Sequence, residues 1–216
     1  MVKISTEIYS TAKIVGEQKA VEYIAKAGFD AWDFSMFNMA RMDWQTMTLK
    51  KGVHPLDGDG AIRFAKELRK IGEDNGISCN QSHAPFPTSV KEIRDTMKKA
   101  IECTAVAGGK VCIIHPDNDA SNEKNTEMYL ELLPFAKEHN VKIATENMWN
   151  WDREKDHALI CACSDKKNFS EQMEMLKDDF FVACLDIGHA EMKGLNTSAV
   201  ELIETLKSRI GALHIH

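Results

Sequence analysis

The run CLDIGHAEMKG, Cys184 to Gly194, sets a carboxylate, Asp186, and an imidazole, His189, directly after the apolar stretch Phe180–Leu185. Burying the apolar stretch is favourable; holding that polar pair at its end is not, unless the pair binds something. Other apolar runs end in the same way: His83 in QSHAPF, His115 in VCIIHP, Glu146 in KIATEN, and His214 with His216 in ALHIH. From His83 through His115, Glu146 and Asp186 to His214 the gaps are 32, 31, 40 and 28 residues. That is about one strand-plus-helix unit each time. Imidazole nitrogen and carboxylate oxygen together suit a divalent ion such as zinc, manganese, cobalt or iron. Without an ion, two crowded carboxylates repel and one takes up a proton.

Each of these residues by itself also fits a plainer role. Polar strand-end residues cap loops, Asp186 with Gly188 makes a turn, and His115 before Pro116 fits a satisfied core histidine. Independent caps would not supply only metal-ligand types on five successive strands, and the joint pattern favours a metal site. Glu7 and Asp33 stay with the plainer reading, as caps. His54 and His139 read as surface residues, and His157 as part of a charged loop.

The elements that must position these residues follow from periodicity. Short β-rich runs alternate with longer helical ones. Strands are expected over Val2–Thr6, Phe29–Phe34, Ile77–Ser82, Lys110–Ile114, Val141–Thr145, Phe180–Leu185 and Ile210–Leu213. Helices are expected over Glu17–Ala27, Asp59–Asn75, Ser89–Ala107, Asn122–His139, Phe169–Lys177 and Ser198–Ser208. Ser89-x-x-Glu92 and Ser198-x-x-Glu201 fit capping boxes, and Gly28, Gly76 and Gly108 fit helix stops. A βα repeat of this kind makes a parallel sheet. Two irregular insertions, Met36–Leu56 and Asn147–Asp165, follow the C-terminal ends of strands, where active-site loops sit in a TIM (β/α)8 barrel.

Composition sets outer bounds. The 216 residues are 44% hydrophobic and 28% charged, with a net charge of −6, the profile of a soluble globular α/β protein read as one domain over 1–216. No basic stripe favours nucleic acid, so a small molecule is the expected partner. None of the six cysteines forms a C-x-x-C pair; Cys79, Cys112 and Cys184 fall in strands, as buried free thiols do. With no signal peptide and no membrane-length apolar run, a cytoplasmic protein without membrane contact is expected. The methionines read as filler.

In this order, SHAPF, IIHP, ATEN, LDIGHA and LHIH resemble the xylose isomerase-like TIM-barrel superfamily, which includes sugar isomerases and epimerases, inosose dehydratases and endonuclease IV-type enzymes. The resemblance covers nearly the whole chain. It implies one divalent metal (Mn, Zn, Co or Mg) on Glu146, Asp186 and His214, no nucleotide cofactor, and Glu146 as the catalytic base. It also implies His189 against the substrate, with His83 and His115 lining the pocket or holding a second metal. The family's last ligand is a Glu after an eighth strand. This sequence stops at His216, so the expected fold is a barrel truncated after strand 7, whose open edge invites homo-oligomers or aggregation.

The reaction implied is metal-dependent isomerisation or epimerisation of a sugar or sugar phosphate by proton transfer α to a carbonyl. The alternatives are an inosose-type dehydratase, an endonuclease IV-type zinc phosphodiesterase acting on DNA, or a non-catalytic sugar-binding barrel. Weaker candidates are Asp152 for a substrate hydroxyl, Trp149 and Trp151 as packing or a sugar platform, and His216.

Overall fold

The computed structural model describes residues 3–43, 45–46, 48–50, 52 and 54–215. His216 and Val2, the first residue of the first expected strand, lie outside them. The chain runs β1 (Ser5–Glu7), α1 (Tyr9–Val15), α2 (Glu17–Lys26), β2 (Ala31–Ser35), β3 (Arg41–Asp43), β4 (Thr48–Lys50) and α3 (Ala61–Asp74). It continues through β5 (Ser78–His83), α4 (Lys91–Arg94), α5 (Met97–Ala107), β6 (Val111–Ile113), α6 (Asn122–Glu138) and β7 (Lys142–Glu146). After β8 (Asn150–Asp152), β9 (His157–Leu159) and α7 (Lys166–Met175) come β10 (Phe181–Asp186), α8 (Ile187–Ala190), α9 (Ala199–Leu206) and β11 (Ile210–His214).

All seven expected strands pair in one parallel sheet, ordered β1-β2-β5-β6-β7-β10-β11. The sheet is curled. β5 and β11 are four strands apart, which on a flat sheet is about 19 Å at about 4.8 Å per strand. Yet the rings of His83 on β5 and His214 on β11 stack 5.8 Å apart. The curl divides the strand faces. Trp32, Phe34, Cys79, Phe181 and Leu185 point outward into the main core with helix residues such as Val21, Leu68, Ile101 and Leu202. Ile113, Ala144, Val182, Cys184 and Ala212 form a second, inner core on β6, β7, β10 and β11.

The other half of the interior is polar. Glu7 pairs with Asp33, and Ser35 pairs with His83, on the face opposite Trp32 and Phe34. A bulge sets Asp33 against both Asn80 and Gln81. The Asn80 amide reaches Ser5 Oγ at 3.0 Å, and the Gln81 amide reaches Asp33 Oδ2 at 3.2 Å. Glu7 and Asp33, expected as loop caps, are therefore interior residues. β1 ends one residue later than expected and so includes Glu7, whereas Asp33 already lay within the second expected strand and faces inward from it.

Other local expectations also shift. A short helix, α1, precedes α2, and Gly16 at φ +82° breaks them apart. The helix expected over Ser89–Ala107 splits into α4 and α5. Its capping box at Ser89 is not made, because Val90 is the extended N-cap and no side chain caps α4. At Ser198 half the box forms: Ser198 Oγ accepts from Glu201 N at 3.2 Å, while the Glu201 carboxylate pairs with Lys166 instead of reaching back. His54 is no surface residue. Its Nε2–H donates to Glu17 Oε1 at 2.7 Å and its Nδ1 accepts from Leu56 N at 3.1 Å, so it fastens the first insertion to α2. Among the described residues no helix is long and apolar enough to cross a membrane.

Gly72 shows how closely α3 seats on the sheet. A Cβ there would meet Trp32 Nε1 at 2.7 Å and the Ile77 carbonyl at 3.0 Å, both in fixed, packed groups. Gly72→Ala is expected to destabilise the protein by about 1–3 kcal/mol, as overpacking does, despite alanine's better helix propensity. Urea denaturation reads this as a lower midpoint at unchanged slope.

Candidate metal centre at the barrel mouth

The C-terminal ends of five sheet strands bring His83, His115, Glu146, Asp186 and His214 to one mouth, and the first turn after β10 adds His189. Glu146 is the hub. It closes β7 and is 2% exposed. Its Oε2 faces His115 Nε2 at 3.2 Å and His83 Nε2 at 3.7 Å. Its Oε1 faces His214 Nδ1 at 3.1 Å and His189 Nδ1 at 3.5 Å. Asp186, also 2% exposed, lies beyond: its Oδ2 is 3.7 Å from His189 Nε2 and 3.9 Å from His214 Nδ1.

Burial alone would raise the Glu146 carboxyl, but hydrogen bonds led by those from His115 and His214 outweigh it and hold the group well below the usual carboxylate range. His83 moves down: its burial, and next the charge of His115, outweigh the pull of Glu146. His214 moves up. Burial opposes its charge, but the Glu146 hydrogen bond and the charges of Glu146, Asp186 and Asp33 overcome that. His83 and His214 are thus driven in opposite directions around one buried carboxylate.

Two rings have their tautomers set from behind. His83 Nδ1 lies 3.0 Å from the Ala84 carbonyl and His189 Nδ1 lies 2.9 Å from the Asn147 carbonyl. A carbonyl only accepts, so in each neutral ring Nδ1 carries the hydrogen and Nε2 the lone pair. Those Nε2 atoms face Glu146 and Asp186, lone pair towards carboxylate. Fixing a ring's far N–H on a carbonyl is how metal-ligating histidines are oriented. The donor set therefore fits a divalent cation. Ligand atoms of His83, His115 and Glu146 lie within 4.8 Å of one another, as do those of Glu146, Asp186 and His189, and of Glu146, Cys184 and His214. The Cys184 thiol is the least suited donor: burial, then the Glu146 and Asp186 charges, push it well above its ordinary range.

Asn147, which the sequence reading passed over, ties the two acidic strand ends together. Its side chain donates to the Asp186 carbonyl at 2.9 Å and accepts from Asp186 N at 2.7 Å, fully buried. The signal was its place next to Glu146 in ATEN. Asp186 Oδ1 in turn caps the turn by accepting from His189 N at 2.7 Å. A wall of rings was also missed. Phe37, after β2, packs edge-on to His83 at 4.9 Å, Phe86 at 5.2 Å and Tyr9 at 5.0 Å. Phe86 in turn lies 5.1 Å from His115.

The second insertion supplies the opposite side. It is a hairpin of β8 and β9 in which Trp149 lies 6.0 Å edge-on from His189, while Trp151 is 43% exposed. In the same hairpin Asp152 Oδ1 accepts from Glu154 N at 2.9 Å and Lys155 N at 3.1 Å, holding the turn.

No curated protein sequence matches this one. Solved structures do share its fold. The chain superposes over its full length on 75% of a D-tagatose 3-epimerase-like protein, with a TM-score of 0.69 and 21% identity. It also superposes fully on 79% of a 3-keto-D-glucoside 4-epimerase from E. coli, at 0.68 and 12%. An AP endonuclease, family 2, from Brucella melitensis is covered to the same extent, at 0.68 and 12%. At these identities the likeness is one of fold. The sequence itself matches the model of the xylose isomerase-like TIM barrel over residues 21–216, and the chain belongs to that family.

Proposed function

We propose that the protein is a divalent-metal-dependent isomerase or epimerase of a carbohydrate, moving a proton α to a carbonyl. The observation that carries this is Glu146: a buried carboxylate with His189 and His214 around one oxygen, His83 and His115 around the other, and Asp186 beyond His189 and His214. The sugar epimerases among its structural relatives support the same class. Glu146, Asp186 and His214 would hold the ion. When bound, a divalent ion supplies Lewis-acid polarisation of a carbonyl.

The chain's own residues do the rest. Glu146 Oε1, on the Asp186–His214 side, would help to hold the ion. Glu146 Oε2, on the His83–His115 side, removes the α-proton, and the His115 nitrogen 3.2 Å from it favours its ionised form. His189, held through Nδ1 by the Asn147 carbonyl, presents Nε2 to a substrate oxygen. Asn147 keeps the ends of β7 and β10 in register, so the base and the acidic ligand stay aligned. Trp149 and the Phe37–Phe86 wall exclude water from the two sides of the mouth.

A second reading has a specific observation behind it. The compact His83–His115–Glu146 group would hold a further ion in a phosphodiesterase, with Glu146 bridging the two metals. Metal content separates the two readings. Asp186→Ala is expected to weaken metal binding more than about 10-fold, because it removes an anionic ligand. His189→Ala is expected to retain the metal and to raise KM or lower kcat. Metal analysis of the purified variants decides between them; metal loss from the His189 variant moves the protein to the multi-metal reading.

Glu146→Gln keeps shape and a coordinating oxygen but cannot take a proton at neutral pH. Exchange of a ketose α-proton with deuterated solvent, followed by NMR, should fall about 100-fold to 10,000-fold. Exchange at the wild-type rate would remove Glu146 from the role of base.

A further inference from the structure

Resting on the sugar-isomerase reading, we infer that Glu7 is a second substrate-binding carboxylate, which receives free hydroxyls at the end of the sugar remote from Glu146 and selects against a phosphorylated end. Glu7 closes β1 and shares the interior face with Asp33, its register partner. β1 is the first strand of the curled sheet and β7, which carries Glu146, is the fifth. In an eight-stranded barrel geometry those two strands stand on opposite walls. A substrate gripped at Glu146 therefore extends its far end toward Glu7.

The carboxylate is held ready for that role. Its Oε2 accepts a hydrogen bond from Ser35 Oγ, and its Oε1 accepts from Ser10 Oγ at 3.3 Å. Ser35 is 4% exposed and pairs in register with His83, whose Nε2 faces Glu146 Oε2 at 3.7 Å. Glu7, Ser35, His83 and Glu146 thus make a continuous polar line across the mouth, with Tyr9 and Phe37 as its aromatic flank. Two hydroxyl donors occupy about half of a carboxylate's acceptor sites. The remaining sites accept hydroxyl hydrogens, as a sugar provides. A phosphoryl group has only acceptors at neutral pH and carries like charge, so the same carboxylate repels it.

The test uses the metal-loaded chain with D-fructose, D-tagatose and D-psicose and with their 6-phosphates. The readouts are metal content and the kinetics of α-proton exchange. Wild type should favour a free ketose over its 6-phosphate by about 10-fold or more in kcat/KM. Glu7→Gln should keep its metal, raise KM for the free sugar about 10-fold at little-changed kcat, and bring the two forms within a few-fold of each other. Glu7→Asp, which keeps the charge but shortens the reach, should also raise KM while still rejecting the phosphates. It supplies the KM comparison if the Gln variant does not fold. A wild type that takes the phosphates as well as the free sugars overturns the inference. So does an unchanged KM and discrimination in Glu7→Gln, or an unchanged KM in Glu7→Asp. Glu146→Gln run alongside keeps the two ideas apart. Exchange that survives in it defeats the base assignment and leaves the Glu7 result standing. Absence of exchange for every sugar in the wild type defeats both.

Discussion

An ionised carboxylate taken out of water costs several kcal/mol unless hydrogen bonds or charges replace the lost solvent. Glu146 carries that cost at the end of β7; the His115 and His214 imidazoles, hydrogen-bonded to its two oxygens, offset it, and His83 and His189 complete the ring around it. Their strands are spread along the sheet from β5 to β11, and on a flat sheet the outer two, carrying His83 and His214, would stand about 19 Å apart. The electrostatics of Glu146 and the curl of the sheet therefore require each other. A flat sheet would strand the charge, and a curled sheet with an apolar residue at this position would crowd four imidazoles around nothing.

The curl also explains the division of the interior. β6, β7, β10 and β11 fill their inner face with Ile113, Ala144, Val182, Cys184 and Ala212, a small apolar core directly beneath the histidines. β1, β2 and β5 line theirs with Ser5, Asp33, Asn80 and Gln81, bonded among themselves. Burial raises the Asp33 carboxyl above its usual range in spite of those bonds. The apolar half packs directly under the histidines. Outside, Tyr129 braces the seam between β6 and β7 by hydrogen bonding at the Ile114 carbonyl and the Thr145 hydroxyl.

The two insertions are seated by different chemistry. Glu17 at the start of α2 gathers His54 and Asn38 and so pins the first insertion beside Phe37. The same contacts lower the Glu17 carboxyl, with the His54 hydrogen bond as the main cause. The hairpin of the second insertion is tied by amides: Asn118 donates to the Trp149 carbonyl and to Asn150 Oδ1, while Ala158 N donates to the Lys193 carbonyl. Gly194, at φ +108°, lies close against that hairpin, where a Cβ would meet the Ala158 carbonyl at 2.2 Å. Both walls of the mouth thus rest on fixed backbone.

The sequence by itself determined the α/β alternation, the seven strands and the ligand types at their ends, because apolar periodicity and the residue just past it are local properties. The placement of His83, His115, Glu146, Asp186 and His214 at one mouth followed from parallel strands all ending on one side. Only the tertiary structure decided the rest. Which nitrogen of His83 and His189 carries hydrogen depends on carbonyls that the fold brings behind them. Asn147 became a clamp because β10 lies beside β7, a neighbour 39 residues away in the chain. Glu7, Asp33 and His54 were misread because a polar residue at an element's edge looks the same in sequence whether water or a curled sheet lies beyond it.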